Sequence, residues 1–332
     1  MKNILVTGGA GYIGSNLVDF LLNSGDFVTV IDNLSTGKME NINHNLDNSN
    51  FKFIKGDILN EELVEKLVKE SERVYHLAAA VGVKNILQNP LEGILTNVKG
   101  TENLLKHAFK YNKRIVIAST SEIYGKSAKT PFSEDDDRIL GSTKIHRWSY
   151  STAKAIDEHL AFAYFDKGLQ VSIVRYFNSY GSRIDSKGYG SVIAQFIRQG
   201  LKGAPITVHG SGDQTRCFTY IADTISGTIA AMEKNEAIGE VFNIGNDVEL
   251  SILELAKLIK KKLKSNSEIA CIDPQAYYGK NFEDTKHRKP SIDKARNMLG
   301  FYPKVSLEEG LNNTIIWCKN NYRKAEKNEI IR

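Results

Sequence analysis

Three cysteines in 332 residues are too few and too scattered to staple a fold: Cys217, Cys271 and Cys318 form no Cys-x-x-Cys pair and leave an odd count. Neither a disulfide framework nor a zinc site is indicated, and a reducing cytoplasm is the expected setting. Long apolar runs are missing too. None approaches the roughly 18 residues of a membrane span, and the first is broken at once by glycines, unlike a signal peptide, so a soluble, unprocessed chain is expected. Internal repeats and low-complexity segments are absent. Excess charge is absent as well: the net +5 is small for this length, and the densest basic segment, residues 257–264, interleaves with Leu255, Leu258, Ile259 and Leu263 at helical spacing. That pattern is a solvated helix face, not a nucleic-acid surface. With 41% hydrophobic and 25% charged residues, the composition is that of an ordinary globular protein of one large or two fused domains.

What is present starts at residue 3. An apolar strand over 3–7 runs into Gly8-Gly9-Ala10-Gly11-Tyr12-Ile13-Gly14, and helical spacing over 15–22 ends near Gly25. Gly8 permits a tight turn, Gly11 lets the backbone approach a pyrophosphate, and Gly14 lets the helix pack on the strand. A second strand over 27–31 ends in Asp32, about 18 residues after Gly14, where a ribose-binding carboxylate is expected. Asp32 repels a 2′-phosphate and no arginine follows closely, which favours NAD; Lys38 keeps NADP open.

Further strands over 51–55, 73–77, 114–118 and 171–175 alternate with helices over 61–69, 97–111 and 150–166, the pattern of a doubly wound α/β Rossmann sheet. Right-handed crossovers put the strand carboxyl ends on one rim, where ligands bind. Asp57, Ala78-Ala79-Ala80, Ser119-Thr120-Ser121-Glu122 and Asn178 sit at those ends. Asp57 is read either as the N-cap of the helix that begins at Glu61 and Glu62 or as an adenine contact. The dinucleotide domain is expected over 1–178 and a smaller α/β substrate lobe over 179–332, with a strand over 241–244 returning to the sheet. In the second lobe, helices over 192–201, 252–263 and 307–317 and a strand over 206–209 are expected, with fraying beyond Tyr322 and the substrate between lobes.

Ser149-Tyr150-Ser151-Thr152-Ala153-Lys154 sets a phenol and an ammonium one helical turn apart. A free tyrosine, with a pKa near 10, is a poor base at neutral pH, and a neighbouring lysine is expected to favour its phenolate. His76 and His287 lack partners at ligand spacing, so structural roles and no metal site are expected.

Together, Gly8-x-x-Gly11-x-x-Gly14, Asp32, Asp57, His76-Leu77-Ala78-Ala79, Thr120, Tyr150-x-x-x-Lys154 and Arg175-Tyr176-Phe177-Asn178 resemble the extended short-chain dehydrogenases that modify nucleotide sugars. Within that group, residues 119–125 with Arg147-Trp148-Ser149-Tyr150, and Tyr277-Tyr278-Gly279-Lys280 with His287-Arg288-Lys289-Pro290-Ser291, look similar to UDP-glucuronate decarboxylases of the 4-amino-arabinose pathway type. The resemblance implies oxidation at the sugar C4, with Tyr150, Lys154 and Thr120 catalytic and Glu122 and Arg288 the pair added for decarboxylation. It implies cofactor contacts from Gly8, Gly11, Tyr12, Ile13, Gly14, Asp32, Asn33, Asp57, Ile58, Ala78, Ala79, Lys154 and Tyr176. It implies substrate contacts from Lys84, Ser121, Asn178, Ser191, Arg216, Tyr278 and Arg288.

Structural alternatives stand beside these roles. Glu122 is also readable as a buried partner of Arg147 or Arg138, Arg288 as a diphosphate ligand, and Asn178 as a turn cap. Two features depart from the decarboxylase pattern: Ser191 stands in place of an arginine, and the loop Val81-Gly82-Val83-Lys84-Asn85 is nearer to that of UDP-hexose 4-epimerases. Lys84, Lys187 or Arg288 would then supply charge for a carboxylate. A 4-epimerase is therefore the alternative reading, a 4,6-dehydratase a further one, and a non-catalytic dinucleotide-binding protein the reading from another class. The resemblance also implies a homodimer through the Tyr-Lys helix, on which Ala155, Ile156, Leu160 and Ala163 form an apolar stripe that internal packing explains equally.

Overall fold

The computed structural model describes residues 1–184, 191–275, 283 and 285–330, and only the backbone for 83–85 and 322–330. Strands β1 (Asn3–Thr7), β2 (Phe27–Asp32), β3 (Phe51–Lys55), β4 (Arg73–His76), β5 (Arg114–Thr120) and β6 (Val171–Tyr176) are all parallel. Their near-continuous apolar runs suit strands covered on both faces. The chain then forms short strands β7 (Ser179–Tyr180), β8 (Ile206–His209), β9 (Thr215–Cys217) and β10 (Thr219–Tyr220) before β11 (Val241–Ile244) pairs in parallel with β6. The sheet order is β11-β6-β5-β4-β1-β2-β3. In the second lobe β12 (Glu249–Ser251) and β14 (His287–Arg288) flank β9, while β13 (Ile269–Ile272) pairs with β8.

Helices α1 (Tyr12–Asn23), α2 (Glu61–Glu70), α3 (Val83–Gln88), α4 (Pro90–Lys110), α5 (Ser149–Phe165), α6 (Val192–Leu201), α7 (Ile221–Glu233) and α8 (Ile252–Leu263) cover these sheets. α1 shows why: Gly14, Leu17, Val18, Leu21 and Leu22 recur at helical spacing and are buried against β1 and β2. α4 starts seven residues before the expected 97, because Pro90 fits a first helical turn. The last helix, Leu307–Ile330, runs through the region expected to fray. More of the chain returns to the first lobe than strand β11 alone: Ile221 and Ile225 of α7, together with Ile292, Leu299 and Phe301, share the core of β1, β2 and α1.

His76 ends β4 inside this core, 1% exposed. Its Nδ1 lies 2.8 Å from Thr7 Oγ1 and its Nε2 3.0 Å from Thr101 Oγ1, a structural lodging. Burial, with the Lys154 ammonium nearby, pushes the imidazole down to about 3. An unfolded histidine titrates near 6.5, so between these values only the unfolded chain gains the proton and stability falls as pH drops. By pH 5 the loss from this residue is about 2 kcal/mol. Denaturant unfolding of His76→Gln at pH 7 and pH 5 is expected to show a loss smaller than wild type by about that amount; an identical loss overturns the assignment.

Candidate active site

The opening turn forms a cradle that a side chain would fill. Gly8 has φ +70°, a Cβ on it would lie 2.7 Å from Ala78 N, and one on Gly14 would lie 2.2 Å from the Gly8 carbonyl. Gly11 caps α1 with no side chain, leaving the first amides of the helix to an anion. At the end of β2, Asp32 accepts from Ala10 N at 3.0 Å and Leu34 N at 2.8 Å. Burial raises this carboxyl, and the two backbone bonds pull it part of the way back. These features fit a dinucleotide.

Around the cradle, Asn33 Nδ2 donates to Asp57 Oδ2 at 2.8 Å, tying the ends of β2 and β3. Asp57 is not the cap of α2. It accepts from Leu59 N, and Asn60 caps the helix by accepting from Leu63 N at 3.1 Å. The Asn60 side chain, three residues later, outcompetes it for the first turn. Tyr12 and Ile13, partly buried, pack against the core, and the Tyr12 hydroxyl is buried without a hydrogen-bond partner. Ile58 is also core, set against Gly100 of α4. Ala78 and Ala79 follow β4 partly exposed, with Ala78 N donating to Thr7 Oγ1 and Ala80 N to Asn97 Oδ1. Tyr176, beside Thr120 in the β5 to β6 register, bonds Thr228 at 2.8 Å.

Tyr150 opens α5 at this rim, with Thr120 at the end of β5 hydrogen-bonded to its phenol. Lys154 is one turn on but is not bare: its Nζ donates to Asp157 Oδ2 at 2.7 Å. The lysine expected to favour the phenolate is therefore itself paired with a carboxylate. Burial, followed by the carboxylates of Glu122 and Asp157, pushes the phenol well above its ordinary range, outweighing the Thr120 bond and the charge of Arg147. A negative charge beside the ammonium cancels much of its effect.

Glu122 follows Thr120 in a short 3-10 turn, Ser121–Tyr124. It is gripped by both terminal nitrogens of Arg147, with Nη2 to Oε1 at 3.0 Å, and Arg288 Nη1 lies 3.6 Å from Oε1. Arg138 is not the partner. Burial would raise this carboxyl, but Arg147, Arg288 and Arg216 together hold it below the usual range. Arg216 and Arg288 are register partners on β9 and β14, so two buried guanidinium groups far apart in sequence stand side by side. Arg216 Nη1 donates to the Thr215 carbonyl at 2.7 Å, and Arg288 Nη2 to Thr285 Oγ1 at 3.3 Å. Such a pair suits phosphate or carboxylate.

Asn178 has φ +40°, a left-handed conformation that asparagine tolerates, and its Nδ2 donates to the Cys217 carbonyl at 2.8 Å. Ser121 is buried behind Thr120. Ser191 accepts from Ala194 N at 3.4 Å as the N-cap of α6, a local task. The side chain of Lys84, and Lys187 and Tyr278 altogether, lie outside the described residues. His287 is half exposed, its Nδ1 2.9 Å from Thr215 Oγ1.

The contacts of three residues escaped the sequence reading, although Arg175 itself stood in the family motif. Asp157 was open to view at helical spacing from Lys154. The pairing of Glu158 with Arg175 was not: Arg175 donates to both Glu158 oxygens at 3.0 and 2.7 Å, and to Tyr124 Oη and the Glu134 carbonyl. Among the described residues, no group of three metal-ligating side chains comes together.

Residues 5–314 match the family model described as GDP-mannose 4,6 dehydratase. A UDP-N-acetyl-alpha-D-glucosaminuronate decarboxylase from Bacillus cytotoxicus is 44% identical over 96% of this chain and 98% of its own. UDP-glucuronic acid decarboxylase 1 from Danio rerio is 38% identical over 99% of this chain and 76% of its own. Among solved structures, UDP-glucuronic acid 4-epimerase from Bacillus cereus, in complex with UDP-glucuronic acid and NAD, has a TM-score of 0.86 at 35% identity, covering 96% of this chain and 100% of that one. With its parallel sheet, glycine cradle and Thr-Tyr-Lys rim, the chain belongs to the GDP-mannose 4,6-dehydratase-like family of extended short-chain dehydrogenases.

Proposed function

We propose that this protein is an NAD-dependent UDP-uronate decarboxylase acting through a 4-keto sugar. The observation that supports it most is the Glu122 carboxylate, gripped by Arg147 and facing Arg288 beside the Thr120 and Tyr150 pair. Proton transfer at C4 alone does not require that group. The decarboxylase relatives at 38% and 44% identity support the same reading.

Gly8, Gly11, Gly14 and Asp32 would hold the dinucleotide. NAD, when bound, accepts a hydride from C4 of the sugar and later returns it. Tyr150 takes the proton of the 4-hydroxyl, and Thr120 hydrogen-bonds the same oxygen. Arg216 and Arg288 present two forks to the diphosphate and to the sugar carboxylate. Once C4 is a ketone, the C6 carboxylate is β to it. The bond between C5 and C6 breaks, its electron pair passes into the enolate, carbon dioxide leaves, and C5 then takes a proton from water, which restores the 4-ketone that the returning hydride reduces. Glu122, held ionised, is no proton source for C5 at neutral pH. Its task is to fix Arg288 against the developing negative charge.

The second reading is a UDP-uronate 4-epimerase, favoured by Ser191 being a helix cap where decarboxylases carry an arginine. It requires an unchanged product mass. We also propose a homodimer in a reducing, cytoplasmic setting. The three cysteines form no disulfide, and no described helix is long and apolar enough to cross a membrane. Of the apolar stripe on α5, Ala155 is buried and Leu160 packs inward, but Ile156 is exposed, as are Phe165 and, on α4, Leu95 and Phe109. Light scattering is expected to give twice the mass of one chain; the mass of one chain overturns the dimer.

Incubation with UDP-glucuronate and with its 2-acetamido counterpart is expected to yield, from at least one, a UDP-pentose lighter by one carbon dioxide. A product of unchanged mass instead establishes the epimerase. Tyr150→Phe is expected to abolish turnover with NAD still bound. Glu122→Gln is expected to slow carbon dioxide release by about 100-fold while C4 oxidation persists, seen as accumulating reduced nicotinamide absorbance. Unchanged release removes Glu122 from the chemistry.

A further inference from the structure

Tyr150, Lys154 and Asp157 lie along one stripe of α5, four and then three residues apart. The Lys154 and Asp157 side chains are 2% and 0% exposed, joined at 2.7 Å. The other Asp157 oxygen, Oδ1, is buried with no hydrogen-bond partner. A half-satisfied carboxylate in a dry interior is expensive, and a well-packed apolar residue would be at least as stable there. Glu158, the next acid on the helix, is taken up by Arg175 and Ser119 and offers Lys154 nothing. Asp157 is thus the carboxylate that meets the ammonium beside the phenol.

The charged groups around the phenol come from three elements. Glu122 projects from the turn after β5, Arg147 from the turn before α5, and Asp157 from α5 itself, with the Thr120 hydroxyl at the strand end. Lys154 faces Asp157 on its own helix and His76 across on β4. Among these, Asp157 alone both touches the lysine and acts on the tyrosine.

We propose that Asp157 is a positioning residue of the proton-transfer site: it holds the Lys154 ammonium in place and offsets its charge, so that Tyr150 becomes a base when the positive charge of the dinucleotide arrives. Lys154 has three N–H donors, so it keeps Asp157 while facing the cofactor. A bare lysine would ionise the phenol before the cofactor binds. With Asp157 present, the phenol stays protonated in the empty protein and its ionisation is coupled to cofactor binding.

This inference rests on the reading of Tyr150 as the base, but its test needs no turnover. Protein labelled with carbon-13 at tyrosine Cζ and saturated with NAD is titrated by NMR, the Tyr150 signal being the one lost in Tyr150→Phe. In Asp157→Asn the Tyr150 midpoint is expected to fall by about one pH unit or more, and in Asp157→Glu to stay near wild type. If Asp157→Asn does not fold, Asp157→Leu, which fills the buried site, takes its place with the same expected shift. A midpoint that stays at the wild-type value in the neutral variant, or that moves as far in Asp157→Glu, overturns the proposal. Failure of the decarboxylation assay with an intact NMR shift would instead count against the reading of the reaction alone.

Discussion

One buried ion pair fixes the geometry of the site. Glu158 of α5 meets Arg175 of β6 through both carboxylate oxygens, and Ser119 of β5 donates to the same group at 2.5 Å. Arg175 reaches on to Tyr124 and Glu134, and Tyr124 donates to Asn243 of β11. A single guanidinium thus ties two strands, helix α5 and the turn that carries Glu122. Removing one partner would leave a buried charge, a loss of about 3–5 kcal/mol. Tyr150 and Lys154 lie on the same helix as this anchor.

The same accounting runs through the rest of the site. Three carboxylates of the site each have their own cation: Glu158 has Arg175, Asp157 has Lys154, and Glu122, the least buried of the three, has Arg147. Buried charges persist only when paired. The pairs differ in what remains. Around Glu158 every donor is used for architecture. Around Asp157 one oxygen is orphaned, and around Glu122 two further arginines lean in from the second lobe. The site therefore grades from scaffold, through the stripe of Tyr150, Lys154 and Asp157, to an arginine-lined face.

Much of the first lobe was legible because its physics is local. Buried parallel strands read as continuous apolar runs, and Gly8, Gly11 and Gly14 are demanded by a turn too tight for side chains. The return of β11 was legible for the same reason. Two- to four-residue strands such as β7, β9, β10 and β14 carry too few residues for a period. Asp57 was open to misreading as a cap because Asn60 competes for the same helix start only once the turn is formed. Lys154 was recognisable as a partner of Tyr150, yet its bond to Asp157 is a property of folded neighbours. The adjacency of Arg216 and Arg288 is a matter of strand register between distant segments.

The central claim is that C4 is oxidised and restored around a decarboxylation at C5. UDP-glucuronate bearing deuterium at C4, turned over in ordinary water and, separately, unlabelled substrate turned over in heavy water, test it directly. The account predicts a UDP-pentose that keeps the C4 label and, from heavy water, gains one solvent deuterium at C5. Loss of the C4 label to solvent, or a product that retains its carboxylate, would contradict it.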